Sequence, residues 1–494
     1  MKSLAFNRIL PVWTAMLAAV FSITVPSFAQ DKDLEEVITI GTRSQARSAT
    51  ESTAPIDVIP ADEFQNQGGI DSSNLLRNVV PSYNVSDQPI SDAATLVRPA
   101  NLRGLAPDHT LVLVNGARRH RAAVITWLGN GISDGSQGPD IAAIPAIALK
   151  SVEVLRDGAA AQYGSDAIAG VVNFNLKDSD SEGSVVASYG QYTEGDGDQI
   201  AIGANKGFSL GGNGFINLTA EFSQQDPTDR SIQRGDAAAL IAAGYQNVAN
   251  PAQVWGTPEI EDNIKLWANF GYDLTGGTEL YGYGNYNTKT VTGGFYYRNP
   301  TNRAGVYGDG TNLLIGDLTP GPVGQTNAAF PLLMPGDGIA CAPVSAALSP
   351  AAIAAAVADP NCFSFQETIT GGFTPSFGGD VTDATLHAGV RGEANNGLGW
   401  DFSVYYGHSV ADFFINNTVN ASLGPNTPRN FNPGDYEQTD LNFNADFYYK
   451  LREDVSLAFG AEYRDEEFTI KAGQVESYID GGLGAQGFST STNG

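Results

Sequence analysis

From about residue 184 onward, apolar and polar positions alternate with a period of two. Ile216, Leu218, Ala220 and Phe222 alternate with Asn217, Thr219, Glu221 and Ser223. Trp400, Phe402, Val404 and Tyr406 alternate with Asp401, Ser403, Tyr405 and Gly407. The pattern returns at Leu441–Phe447, at Val455–Tyr463, and at Leu266–Tyr272, where Trp267 breaks it. Successive side chains of a strand point to opposite faces, so this pattern predicts antiparallel strands with one apolar face. About nine are expected, beginning near 184, 199, 215, 264, 278, 382, 399, 440 and 455.

A soluble β-sandwich and a membrane barrel both fit one apolar face, and the connections separate them. Tight turns at Gly211–Gly214, Thr275–Gly277, Ala394–Gly397 and Arg452–Asp454 alternate with long links at about 225–262, 290–380 and 410–437. Short turns on one rim, long loops on the other and aromatics near the strand ends are the pattern of an outer-membrane barrel. A closed bacterial barrel has an even strand count, so nine strands read as the first part of a longer protein.

Before Asp178-Ser179-Asp180-Ser181 the pattern is mixed. Asp71-Ser72 caps a short helix through Leu75 and Leu76 to about Val79, stopped by Pro81. Leu111–Val114 is an apolar strand ended by the Asn115-Gly116 turn, and Val152–Leu155 is another. This stretch reads as one compact α+β domain. At the start, Lys2 and Arg8, an apolar run from Ile9 to Val25 and Ser27-Phe28-Ala29 form an export signal. The expected division is 1–29 signal peptide, 30–53 ribbon and linker, 54–178 compact domain and 183–494 strands.

Of the 494 residues, 27 are Lys or Arg and 54 are Asp or Glu, a net charge of −27. That balance excludes a nucleic-acid partner. Cys341 and Cys362 are the two cysteines and fit one disulfide in an oxidising compartment. Four histidines, none paired at ligand spacing, give no metal site, and no cofactor is implied. No Ser/His/Asp constellation or acidic dyad points to an enzyme.

The stretch Ile144-Pro145-Ala146-Ile147-Ala148-Leu149-Lys150-Ser151-Val152-Glu153-Val154-Leu155-Arg156-Asp157-Gly158 and its continuation to Asn173 closely resembles the plug domain of TonB-dependent outer-membrane receptors. Asn101–Leu105 and Leu113–Gly116 match two further plug motifs, and Phe459–Arg464 supports the barrel. The resemblance implies an α+β plug inside an antiparallel transmembrane barrel of about 22 strands. It also implies the outer membrane of a Gram-negative bacterium and uptake of a bulky nutrient such as a ferric siderophore. The partners would be the TonB periplasmic domain, outer-membrane lipid and an extracellular small molecule or oligosaccharide. The family's TonB box would fall on Glu36, Val37, Ile38, Thr39, Ile40 and Gly41. Those β-prone residues precede a polar tether, Ser44–Thr53, and form a strand expected to stay unpaired so that TonB can pair with it.

Two plug loops, Ser86–Pro99 and Ala117–Asp140, are expected to face outward. The second holds Arg118, Arg119, His120, Arg121 and Trp127, a cationic exception in an acidic chain. These residues suit an anionic ligand, or else bridge the plug to acidic residues of the wall. Arg103, Arg156 and Asp157 are read either as ion pairs between plug and wall or as a solvated charge pair. The small residues of Gly158–Gly170 read as packing rather than as a phosphate cradle. Ser349-Pro350 begins an Ala-rich helix that the disulfide would bracket. The competing function is a passive outer-membrane channel or adhesin without energy coupling, which would need neither plug nor ribbon.

Overall fold

The computed structural model describes residues 37–38, 40, 47–48, 55–69, 71–127, 131–318, 351, 353–354, 358, 362–452 and 455–492. The export signal, Glu36, Thr39, Gly41, most of the tether, Cys341 and the Ser349-Pro350 helix start lie outside these residues.

Two short strands open the described chain, β1 (Val37–Ile38) and β2 (Arg47–Ser48), and they form a two-stranded sheet. The expectation of an unpaired ribbon is therefore corrected. The physical reason is local: closing a loop of about eight residues costs little, so the nearest extended segment supplies the ladder.

The plug follows. Strand β3 (Ile56–Pro60) leads into helices α1 (Ala61–Gln65) and α2 (Ser72–Val79). Asp71 caps α2, its carboxylate accepting from the N–H groups of Ser73 at 2.9 Å and Asn74 at 3.2 Å. Leu75 and Leu76 face the core. Next come β4 (Tyr83–Val85), β5 (Ala100–Leu102), β6 (Thr110–Val114), β7 (Ala117–Arg118) and β8 (Leu149–Leu155). Helix α3 (Ala160–Tyr163) and strand β9 (Gly170–Leu176) complete the plug. The main sheet has the order β3-β8-β9-β6-β7, with β6 and β9 parallel and every other pair antiparallel. Asn115 and Gly116 both take positive φ, 49° and 80°, as a tight hairpin between β6 and β7 requires. Gly170 is a packing glycine: a Cβ there would lie well under 3.0 Å from the Leu155 carbonyl oxygen.

The wall is a nine-stranded antiparallel sheet. Its first strands are β10 (Gly183–Gly190), β11 (Gln199–Ser209), β12 (Gly214–Gln225), β13 (Glu259–Leu274) and β14 (Thr278–Gly293). The link after β12 carries helix α4 (Gly235–Ala242). The link after β14 carries the short pair β15 (Gly316–Asp317) and β16 (Cys362–Phe363). The wall resumes with β17 (Ser376–Glu393), β18 (Leu398–Asn416), β19 (Asn430–Arg452) and β20 (Val455–Ala472). Each wall strand pairs with its neighbour in sequence, so the pattern is a plain meander.

The two faces separate the two sheet readings. Leu218, Leu266, Leu386, Phe402, Phe443 and Tyr463 are exposed on the outer face, whereas Asn217, Glu221, Lys265, Asn285, Asp383 and Asn442 are buried on the inner one. A sandwich buries its apolar face; this wall buries its polar one against the plug. Trp267, the residue that breaks the pattern, points inward and is buried. Its indole N–H donates to the plug carbonyl of Ala143 at 3.2 Å and to Asn287 at 3.1 Å. Strands β13, β17 and β19 begin five to ten residues before their apolar alternation does. Apolar–polar periodicity covers only part of these strands, while ladder hydrogen bonds continue beyond it.

Candidate functional site: the seam between plug and wall

The β6–β7 hairpin sets the direction of the chain that follows it. Arg118 ends β7 with its guanidinium on Asp166 and on the Tyr163 carbonyl at 3.0 Å, and 3.7 Å from Glu462 of β20. Arg119 points into the wall. It is ion-paired with Asp383 of β17 and donates to Asn285 at 2.8 Å and Thr385 at 2.6 Å. Its guanidinium also lies over the Trp267 ring, 5.4 Å from the centroid. Burial would push this guanidinium down, and the Asp383 carboxylate more than offsets that.

His120 is clamped at both ring nitrogens. Nε2 lies 2.8 Å from the second oxygen of Asp383, and Nδ1 lies 2.7 Å from the Tyr405 hydroxyl. With Asp383 ionised by Arg119, Nε2 carries the proton and Nδ1 accepts from Tyr405, a tautomer assigned from the network. The His120 backbone N–H also donates to Tyr405, at 3.0 Å. Further along, the Ala123 N–H donates to Ser409 at 3.0 Å and the Gln137 amide to Gln438 at 2.9 Å. Arg121 lies 3.6 Å from Glu466. Trp127 is 50% exposed.

Of the two roles expected for the cationic cluster, the structure places three arginines and the histidine in the bridging one. Arg119 and His120 are almost fully buried, Arg118 and Arg121 face acidic groups of β20, and Trp127 alone stands well out. The partners Asp383, Thr385, Tyr405 and Asn285 are inward residues of β14, β17 and β18. The alternation makes their polar face legible, but nothing local pairs Asp383 with a residue 264 positions earlier.

Other charge pairs lie within the plug or cross from it to the wall. Asp71 holds Arg98, which also reaches Asp87 at 3.1 Å. Lys289 of β14 meets Asp140 of the plug at 2.8 Å. Arg103 lies 3.6 Å from Asp157, and Arg156 lies 2.6 Å from Asp57. Both are partly exposed pairs inside the plug, so neither joins it to the wall. A cavity of about 440 Å³ lies between plug and wall near the short-turn rim, bordered by Arg118, Tyr281, His387 and Asp401.

The ribbon has a seat of its own. Ile40 is buried among Leu111, Leu113, Leu155, Ala167 and Val171. Its N–H donates to the Glu153 carboxylate at 3.1 Å, and Glu153 also accepts from Asn173 at 3.3 Å and Asn175 at 3.0 Å. At the long-link rim, Tyr307, Phe363, Phe365, Leu483 and Phe488 form a separate loop core. Cys362, beside it, is disulfide-bonded.

A folded stopper seated against a meander wall that is polar within and apolar without defines the class of plugged membrane barrels. Residues 48–171 match the TonB-dependent Receptor Plug Domain family. A ferric enterobactin receptor of Pseudomonas aeruginosa is 27% identical over 231 residues, 43% of this chain and 30% of that relative. A probable TonB-dependent siderophore receptor PirA of Acinetobacter baumannii is 33% identical over 188 residues, 36% of this chain and 24% of the relative. The solved ferric enterobactin receptor PfeA in complex with BCV-L6 shares the fold at TM-score 0.51 and 17% identity, over 84% of this chain and 49% of that one. The chain thus spans about half of that solved relative and less than a third of those curated ones. Residues 48–171 are similar to a TonB-dependent receptor plug, and the curated relatives are named as siderophore receptors.

Proposed function

We propose that this protein takes up a ferric siderophore through the outer membrane of a Gram-negative bacterium, using energy that TonB transmits to the Glu36–Gly41 segment. The observation that carries this reading is the seam. A plug held by buried ion pairs and charge-assisted hydrogen bonds blocks the lumen, and a blocked lumen needs an input of work to open. The siderophore class is supported by the names of the relatives.

TonB would grip Glu36–Gly41 by strand pairing once the ribbon leaves its seat. The ladder at Val37–Ile38 and one Ile40 hydrogen bond contribute about 0.5–1.5 kcal/mol per bond, an amount a binding partner can outcompete. Within the cationic cluster, Trp127 is the residue poised to touch substrate. Arg118 and Arg121 are partly accessible, whereas Arg119 and His120 act on substrate only through the wall they hold. A passive channel or adhesin is the weaker reading, because it gives the seated plug no task.

The test is deletion of Glu36–Gly41 from the full-length protein, with siderophore binding and uptake followed separately. Energised transport requires binding to persist and uptake to vanish. Uptake at the wild-type rate would overturn it.

A further inference from the structure

Wall strand β18 holds the plug with two inward residues, Tyr405 and Ser409. The inward residue between them is Gly407, which is unusual in the middle of a long strand, where glycine weakens the ladder and most often marks close approach of another group. Here that group is the root of the His120 side chain. A Cβ built on Gly407 would lie well under 3.0 Å from Cβ, Cγ and Nδ1 of His120. These atoms cannot swing aside, because both ring nitrogens are held by Asp383 and Tyr405.

Two other wall glycines receive plug side chains in the same way. A Cβ on Gly293 would strike Cγ2 of Thr95, and one on Gly379 would strike Cδ2 of Leu96, both well under 3.0 Å. Thr95 and Leu96 follow each other in the plug, and Gly293 and Gly379 lie on the neighbouring strands β14 and β17. Wall and plug therefore interlock by shape at two separated places, in addition to their polar bonds.

We propose that Gly407 is a positioning residue of the plug: a notch in the wall that admits the His120 ring and so fixes the closed seat, with Gly293 and Gly379 as a second notch pair. Charge pairs tolerate small slips of one surface over another. A stiff ring in a notch does not. The notches define one resting position to which the plug returns after each opening. This inference rests on the plug-and-barrel reading but not on TonB or on any particular substrate.

The experiment uses full-length receptor in cells whose outer membrane excludes vancomycin. Gly407→Ala is compared with His120→Gly and with the double variant, and barrel assembly is checked by heat-modifiable gel mobility. Gly407→Ala is expected to raise vancomycin sensitivity several-fold, because the plug no longer seats. In the His120→Gly background the added methyl meets neither the ring nor its Cβ, so the double variant should match His120→Gly alone. If Gly407→Ala fails to assemble, His120→Gly must restore assembly. Wild-type sensitivity of an assembled Gly407→Ala would overturn the proposal. So would a double variant that sums the two single effects, or one that stays unassembled. None of these outcomes depends on siderophore uptake, so the proposed function stands or falls separately.

Discussion

Arg119 of the plug and Asp383 of the wall form an ion pair in which both side chains are almost fully buried, 1% and 4% exposed. Desolvating two charges is expensive, and the pair holds because its remaining valences are filled. Asn285 and Thr385 accept from Arg119, while Asn285 and His120 satisfy Asp383. Removing one partner leaves the other buried without its counter-charge. Arg119→Ala is expected to destabilise plug seating by about 3–5 kcal/mol. Thermal unfolding of the purified receptor, with wall and plug transitions followed separately, measures it.

The α2 cap supplies a pH dependence. Burial pushes the Asp71 carboxyl up, but Arg98, Lys265, Lys289 and the Asn74 N–H pull it further down, leaving it below its ordinary 3.8. A carboxyl depressed in the folded state adds stability above its unfolded value, and that stability is lost as pH falls through the folded value. Plug stability from this group should be level above about pH 4 and decline below it. Asp71→Asn keeps the cap and should flatten that decline in unfolding curves recorded between about pH 2 and 5.

Ile40 anchors the ribbon by burial more than by its single hydrogen bond. Ile40→Ala is expected to cost the seated state about 2–4 kcal/mol. That shifts the seated-to-released ratio by a factor on the order of 30 or more. A nitroxide at residue 38 should change from a broad to a narrow spectrum. An unchanged spectrum would mean that β2 alone retains the ribbon.

The disulfide at Cys362 acts on the mouth rather than the plug. The loop core packs Phe363 against Phe365 at 4.8 Å between ring centroids, on the chain just after the cysteine. Cys362→Ser is expected to loosen this loop by about 2–4 kcal/mol. Limited proteolysis should then cut between 318 and 362 while plug and wall fragments stay intact.

Much of this fold was legible wherever the cause is local. The Asp71 cap and the stop at Pro81 bound α2 at Ser72–Val79, as the residues require. Asn115-Gly116 marks the β6–β7 hairpin because only such residues take two positive φ angles easily. Alternation marks five of the wall strands, and the expected count of about nine agrees with the sheet. What escaped has long-range causes. The first ten residues of β19 are mostly polar, and only pairing with β18 makes them strand. The partner of the ribbon was hidden in the polar tether that follows it. Arg119 announces a charge without its counter-charge, and nothing local in the plug motif marks Glu153 as the acceptor for Ile40.

Strand β19 runs for 23 residues. A tilted strand crosses the hydrocarbon of a bilayer in about 9–11. At about 3.3 Å per residue and a tilt near 45°, β19 rises roughly 50 Å, against about 30 Å of oil. The surplus lies toward the long links, so under the proposed function that rim would stand about 20 Å clear of the lipid, like a chimney above a roof. A cargo would then be met in open water, beyond the crowded headgroups, before it reached the depth of the membrane.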